Sequence, residues 1–400
     1  MASIELMNQS APSAEAARLN SQGMLALRAH SFVEAERLFL EATTHDKFSS
    51  ALWRNVATAR RSLGDDKGEL QALNAAIDAD RRDFMAWLRK AQLHQRTEEK
   101  AEALVAWSGV LQMAAQASDL SPEISSALQI GQTFVAEATV QIADAVGAEL
   151  APLNATMDEM ERRRSSAFVD LALGRRQSFV NNCEGLYYPF LPADEFFDRR
   201  HFPWMSQIEA ATDDIRTELE ALLSDPGDAL RPYVKMDAGV PQNKWSELDQ
   251  SLNWGACFLW EYGQPNQAVL DRCPKTAEAL ANLPKAMLPG RAPSAFFSIL
   301  KPRTRIPPHT GVTNTRAIVH LPLLVPENCG FRVGGETRPW QVGRAFAFDD
   351  TIEHEAWNDS DENRAILIFD VWNPHLTVVE QDVIVRYYDA ADATGFNISR

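Results

Sequence analysis

The sequence predicts an α+β multidomain protein, with an N-terminal array of paired helices followed by antiparallel strands closed into a barrel. Three observations predict it. The first 117 residues repeat a pattern of bulky and small side chains every 34 positions. Residues 118 to about 180 keep helical apolar spacing. From Ser294 onward, β-branched and aromatic residues crowd into short alternating runs. A length of 400 residues allows two or three domains and a full core.

Composition excludes some classes of partner. The apolar share of 45% and the charged share of 24% are ordinary for a globular chain. With 39 basic against 55 acidic residues the net charge is −16, which repels phosphate backbones and anionic bilayers. No nucleic acid and no membrane are therefore expected as partners. Cys183, Cys257, Cys273 and Cys329 show no C-x-x-C or zinc spacing and read as free thiols. The opening stretch, residues 1–20, lacks the basic start and apolar core of a secretory signal. No apolar run approaches the ~18 residues of a membrane span, and a cytoplasmic location is expected.

The repeat occupies residues 14–117. Leu19, Trp53 and Trp87 form one column at the 34-residue interval, and Gly23, Ala57 and Ala91 a second. Ala35, Glu69 and Ala103 form a third; Phe39, Leu73 and Trp107 a fourth; Ala42, Ala76 and Val110 a fifth. Small positions let paired helices approach and bulky ones fill the space between units. The period and alternation resemble the tetratricopeptide repeat, with about three units. Glu69 stands where a small residue is usual, and no proline closes the units. His30, His45 and His94 read as surface or packing residues. Such an array exposes a concave face for a peptide or protein; a stabilising appendage or a dimerisation arm is the alternative.

Residues 118–181 read as a helical connector. Ser121-Pro122-Glu123 makes a good helix start, with serine as cap and proline at the first position. The run from Met157 to Arg164 reads as a charged helix face. Composition shifts near Cys183, where aromatic residues and prolines become dense, and a second domain is expected over 182–392. It begins with one amphipathic helix, about Met205 to Leu223, burying Ile208, Ile215, Leu219 and Leu222. In the proline- and glycine-rich stretch that follows, Trp245, Trp254 and Trp260 either line a groove or pack in the core.

Strands are expected at about 295–301, 315–323, 330–334, 336–340, 344–349, 352–357 and 364–372. Gly334-Gly335 accepts the positive φ of a tight hairpin. Antiparallel strands of this number suggest a double-stranded β-helix of the jelly-roll or cupin type. His309 and His354 lie 45 residues apart, and Arg364 follows His354 by ten. Two histidines on separate strands can converge on one metal, and an arginine beside them can clamp a carboxylate. Arg316, Ile318 and His320 alternate onto one face, where the buried arginine needs an anionic partner. That partner is either a bound dicarboxylate or a resident aspartate.

The motifs in this stretch resemble the aspartyl/asparaginyl β-hydroxylase family of iron- and 2-oxoglutarate-dependent dioxygenases. They are Ser298, Pro308-His309-Thr310-Gly311, Thr313-Asn314, His320-Leu321, Glu336-Thr337-Arg338, Phe348-Asp349-Asp350, Glu353-His354-Glu355, Trp357, Arg364 and Asp370-Val371-Trp372. The resemblance spans about 185 to 390. It implies that His309 and His354 are the protein ligands of Fe(II), with Gly311 where related oxygenases place a carboxylate. Asp350 then holds a water at the metal, or merely caps a strand-end turn. Ser298 and Arg364 would hold the distal carboxylate of 2-oxoglutarate, and His320 would approach its other carboxylate. Ile318 replaces an arginine found in some members, a contact that Arg316 would supply instead. The implied reaction consumes 2-oxoglutarate and molecular oxygen, releases succinate and CO2, and hydroxylates the β-carbon of Asp or Asn in a peptide or protein presented by the repeats. A free amino acid or small metabolite as substrate is an alternative, and a non-catalytic scaffold is another. Retention of His309, His354, Arg364 and Ser298 together speaks against the last.

Overall fold

The computed structural model describes residues 14–115, 117 and 120–395. The reading of residues 1–20 as lacking a leader lies largely outside these residues, and the expected helical start at Ser118 lies wholly outside them. The chain divides between Thr156 and Met157 into two compact units.

The first unit holds α1 (Ala14–Arg28), α2 (Phe32–His45), α3 (Ser50–Ser62), α4 (Asp66–Ala79), α5 (Phe84–Arg96), α6 (Lys100–Ala114) and α7 (Pro122–Asn154). The first six pack as successive pairs, one pair per 34-residue period. The bulky column Phe39, Leu73 and Trp107 is fully buried, and so are Ala42, Ala76 and Val110. Gly23 is required by close approach, since a Cβ there would come within 2.5 Å of the Phe39 ring. Each pair turns through one left-handed residue, and these recur at the same interval: His30 (φ 57°), Gly64 (φ 73°) and Glu98 (φ 60°). Glu69 is only 2% exposed and accepts a 2.6 Å hydrogen bond from Arg96, so an ion pair fills the place of the small side chain. Trp53 and Trp87 are half-buried and repeat one anchor, each indole donating to the carbonyl of the residue six positions earlier, Lys47 and Arg81. Ser121 caps α7 through the Ile124 amide at 3.4 Å, as expected for a serine before proline. α7 then covers the stack, its Gly131 lying against the Trp107 ring.

The stretch expected as a separate connector, 118–181, is divided between the units. α7 belongs to the first, while α8 (Glu159–Ala172) belongs to the second and begins in a capping box made by Asp158 and Glu161.

The second unit is built on two antiparallel sheets. Its strands are β1 (Arg231–Pro232), β2 (Trp254–Glu261), β3 (Gln264–Pro265), β4 (Ala295–Leu300), β5 (Thr304–His309), β6 (Arg316–Leu324), β7 (Cys329–Val333), β8 (Glu336–Arg338), β9 (Phe346–Phe348), β10 (His354–Asn358) and β11 (Arg364–Trp372). The larger sheet runs β1-β2-β4-β11-β6-β9, with β3 beside β2; the smaller runs β5-β10-β7-β8. From β4 onward the chain winds between the two sheets, which gives the expected double-stranded β-helix. Val333 pairs with Glu336 across Gly334-Gly335, the two-residue hairpin that the glycines foretold.

Alternation sorts the larger sheet into two faces. Phe297, Ile299, Val319, Leu321, Leu367 and Phe369 pack outward with Ile208, Ile215, Leu219 and Leu222. Those four lie on α9 (Met205–Ala210) and α10 (Thr212–Ser224), which replace the single helix expected over 205–223. The short α11 (Gln267–Leu270) and α12 (Pro274–Ala281) complete this layer, and α13 (Val378–Ala393) packs separately through Ile384 and Tyr388. Leu300, Ile318, Ile366 and Ile368 face inward, with Phe331, Val333 and Ala356 of the smaller sheet. The polar residues Ser298, His320 and Arg364 share this inner face by alternation.

Candidate active site

β5 and β10 pair in a register that sets His309 directly opposite His354. Their ring centroids are 4.0 Å apart. Each ring is fixed the same way: Nδ1–H donates to a carbonyl two residues earlier, Pro307 at 2.8 Å for His309 and Ile352 at 3.0 Å for His354. Those bonds set the tautomer and leave each Nε2 without a proton, the arrangement that metal-ligating histidines adopt. Burial pushes the His309 pKa down to about 4 and that of His354 well below the usual histidine range, so both rings are neutral at pH 7. Trp245 packs edge-on against His309 at 5.0 Å, and Trp254 lies 6.4 Å away. Two of the three noted tryptophans therefore wall the site. Trp260 packs on the outer layer instead.

Asp350 lies beside this pair through Gly311. A Cβ on Gly311 would fall 2.1 Å from the Asp350 carboxylate, so the aspartate fills the volume that a side chain at 311 would take. Burial raises its pKa to about 7, opposed by the nearby Arg316 charge. Among the described residues no three His, Cys, Asp or Glu side chains are arranged to hold a metal, so Asp350 does not join the imidazoles as a third ligand.

Deeper in the sandwich sits Arg364, 1% exposed at the start of β11. Among the described residues it has no carboxylate partner. Its terminal nitrogen donates to Ser298 Oγ at 3.3 Å, its guanidinium lies 4.6 Å over the Trp340 ring, and its Nε has no partner. Burial brings its pKa down to about 10, which leaves it charged at neutral pH. Ser298 Oγ also accepts from Trp254 Nε1 at 3.1 Å. With both lone pairs occupied, the hydroxyl proton is the part of Ser298 left to give. His320 stands between arginine and imidazoles; burial, then the Arg364 charge, drive its pKa well below the usual range, and its Nδ1 is unpartnered.

Arg316 corrects one expectation. Its guanidinium bonds Asp370 at 2.5 Å, and Asp370 is itself buried, so a resident acid rather than a bound dicarboxylate balances it. The structure thus brings together His309, His354, His320, Ser298 and Arg364, with Asp350 at the edge and Arg316 otherwise engaged. Sequence reasoning missed Trp340. Its signal was available only as a tryptophan between two short strands, which does not reveal a ring stacked on an arginine.

The similarity to a known family falls within the second unit. Residues 209–374 match the model of the family described as Aspartyl/Asparaginyl beta-hydroxylase. The C-terminal unit resembles the aspartyl/asparaginyl β-hydroxylases. The match begins downstream of the aromatic stretch Tyr187–Trp204 that the motifs had included. The human aspartyl/asparaginyl beta-hydroxylase is 35% identical over 179 residues, 44% of this chain and 23% of that protein. The ornithine lipid ester-linked acyl 2-hydroxylase of Rhizobium tropici is 32% identical over 192 residues, 47% of this chain and 64% of that protein. The chain thus spans about a quarter of the human hydroxylase and under two thirds of the bacterial one. For the helical unit, the Sgt2 TPR domain from Aspergillus fumigatus aligns at 20% identity with a TM-score of 0.29, covering 32% of this chain and 83% of that one. The repeat itself rests on the 34-residue pairing of α1 to α6 and its recurring turns. No helix among the described residues is long and apolar enough to cross a membrane.

Proposed function

We propose that this chain is an Fe(II)- and 2-oxoglutarate-dependent dioxygenase that hydroxylates a peptide or protein, at the β-carbon of an Asp or Asn side chain. The observation that carries the reading is a buried, charged Arg364 without a carboxylate partner among the described residues, set close to two imidazoles whose Nε2 atoms carry no proton. A buried cation left uncompensated costs several kcal/mol, so the pocket is built to receive an anion. A 2-keto dicarboxylate that chelates a metal at one end and meets Arg364 at the other satisfies both halves of the site.

His309 and His354 would hold the iron through Nε2, neutral and oriented by their carbonyl partners. Arg364 and the free Ser298 proton would bind the distal carboxylate by charge-assisted hydrogen bonds, and His320 Nδ1 would turn to the carboxylate nearer the metal. Iron with 2-oxoglutarate and dioxygen supplies the oxidising chemistry, giving succinate, CO2 and a hydroxylated substrate. Trp245 and Trp254 keep water from the imidazole side. Asp350, with a pKa near neutrality, can accept or donate a proton to a water beside Gly311.

The helical unit has the architecture of arrays that hold peptides on a concave face, and this supports a polypeptide substrate. A cytoplasmic location is part of this proposal, and the net charge of −16 argues against nucleic acid or an anionic membrane as partner. A second reading is a lipid acyl chain, favoured by the name of the Rhizobium relative. The test incubates iron-loaded protein with 2-oxoglutarate, oxygen and either a peptide library or ornithine lipid vesicles. Succinate release together with a product heavier by one oxygen atom on peptide supports the proposal. The same gain on lipid alone replaces it with the second reading, and no succinate with any substrate or without one refutes both.

A further inference from the structure

The Arg364 pocket holds one more unsatisfied group than its proposed ligand set uses. Three buried polar atoms there lack partners: Arg364 Nε, His320 Nδ1 and Trp340 Nε1. Trp340 is 7% exposed, and its ring is fixed on one side by Phe331, stacked at 5.5 Å, and by the Arg364 guanidinium at 4.6 Å. His320 lies 6.4 Å from the same ring. An indole N–H can only donate, and a buried one nearly always finds an acceptor. No acceptor among the described residues reaches this one, and its polar neighbours each carry an unpartnered nitrogen, Arg364 Nε and His320 Nδ1. A dicarboxylate seated against Arg364 supplies acceptors for all three, its distal carboxylate to Arg364 and Trp340 and its other carboxylate to His320.

We propose that Trp340 is a further co-substrate-binding residue: its indole Nε1–H donates to the carboxylate that Arg364 and Ser298 hold, while its ring face aligns the guanidinium. A carboxylate has about four acceptor positions. Arg364 and the Ser298 hydroxyl leave room for one more donor. The chemistry selects an acid with a second carboxylate at the far end of the pocket, since an apolar terminus would leave the indole, the hydroxyl and the guanidinium all buried and unpaired. This inference rests on the reading of the pocket as a 2-oxoglutarate site.

The test is calorimetric titration of the full Mn(II)-loaded chain with 2-oxoglutarate and, separately, with 2-oxobutyrate, which has the same keto-acid end and no second carboxylate. Trp340→Phe keeps an aromatic ring and removes the N–H; benzothienylalanine at 340, isosteric with tryptophan, does so without changing the packing. A hydrogen bond to a charged group is worth about tenfold or more in affinity. Both variants should therefore weaken 2-oxoglutarate binding by about tenfold or more, with 2-oxobutyrate binding unaltered. Equal weakening of both ligands marks a packing role and overturns the proposal. Unaltered 2-oxoglutarate binding overturns it as well and leaves the proposed function standing, whereas a wild-type chain with no saturable 2-oxoglutarate binding removes both.

Discussion

Replacing Arg364 by methionine should make the free protein more stable and the liganded protein less so. The charged form of Arg364 is disfavoured in the fold, since burial lowers its pKa to about 10. At about 1.4 kcal/mol per decade, a depression of more than two decades is a folding cost of roughly 3 kcal/mol. The sign follows from linkage: a cation whose folded pKa is depressed destabilises the fold at every pH where it stays charged, neutral pH included. Methionine has a comparable length and no charge. It forfeits the bond to Ser298 and the contact with Trp340, together about 1–2 kcal/mol. A net gain of roughly 1–2 kcal/mol remains, or about 2–8 °C for a unit of this size. Ligand reverses the order. At a hundred times Kd, 2-oxoglutarate adds about 2.7 kcal/mol to the wild type and should add nothing to the variant. Differential scanning calorimetry with and without the co-substrate reads both effects, and the two melting curves should cross over. A free variant that melts lower than wild type, or one that still gains stability from 2-oxoglutarate, would refute the account of Arg364 as an unpaired charge awaiting an anion.

His354→Ala should abolish binding of Fe(II) or Mn(II), measured by calorimetry, and leave the melting temperature of the second unit within a few degrees, because a neutral ring is removed from a lined cavity. Gly311→Ala forces a methyl into the Asp350 carboxylate and should cost about 1–3 kcal/mol; Asp350→Ala in the same chain should recover most of that loss, and strictly additive effects in the double mutant would disprove the contact. In the first unit Glu69→Ala restores the small residue of its column. Burial raises the Glu69 pKa in the fold despite Arg96, so its favourable protonated form is present at low pH and lost as pH rises through that raised value. The variant should match or exceed wild-type stability at pH 7 and fall below it at acid pH, and a variant weaker at pH 7 than at pH 4 relative to wild type would count against this.

The repeat was legible because its physics is local and periodic. Phe39, Leu73 and Trp107 recur where three identical interfaces need bulk, and a self-comparison finds them without any tertiary knowledge. The imidazole pair was legible for a different reason: histidines are few in this chain, and two next to strand-like runs stand out. What stayed hidden depends on partners remote in sequence. β5 was not anticipated because Pro307-Pro308 argues against a strand, yet it lies at the edge of the smaller sheet, where missing amides cost nothing. β2 was masked by a proline- and glycine-rich neighbourhood. The bond from Arg316 to Asp370 joins residues 54 apart, and alternation alone could say that Arg316 faced inward but not which acid met it. Trp340 was invisible for the same reason, since its ring matters only through Arg364 and Phe331.

The strict two-faced alternation of β11 makes frame, more than composition, the vulnerable property of this strand. Arg364, Ile366 and Ile368 look into the cavity while Ala365, Leu367 and Phe369 meet the helical layer. Inserting or deleting one residue between Glu362 and Arg364 would turn the whole row over, taking Arg364 off the inner face and bringing Ala365, Leu367 and Phe369 onto it. Families of substituted chains could wander widely in which apolar side chain fills each place, but a single-codon indel at that point should be silent nowhere.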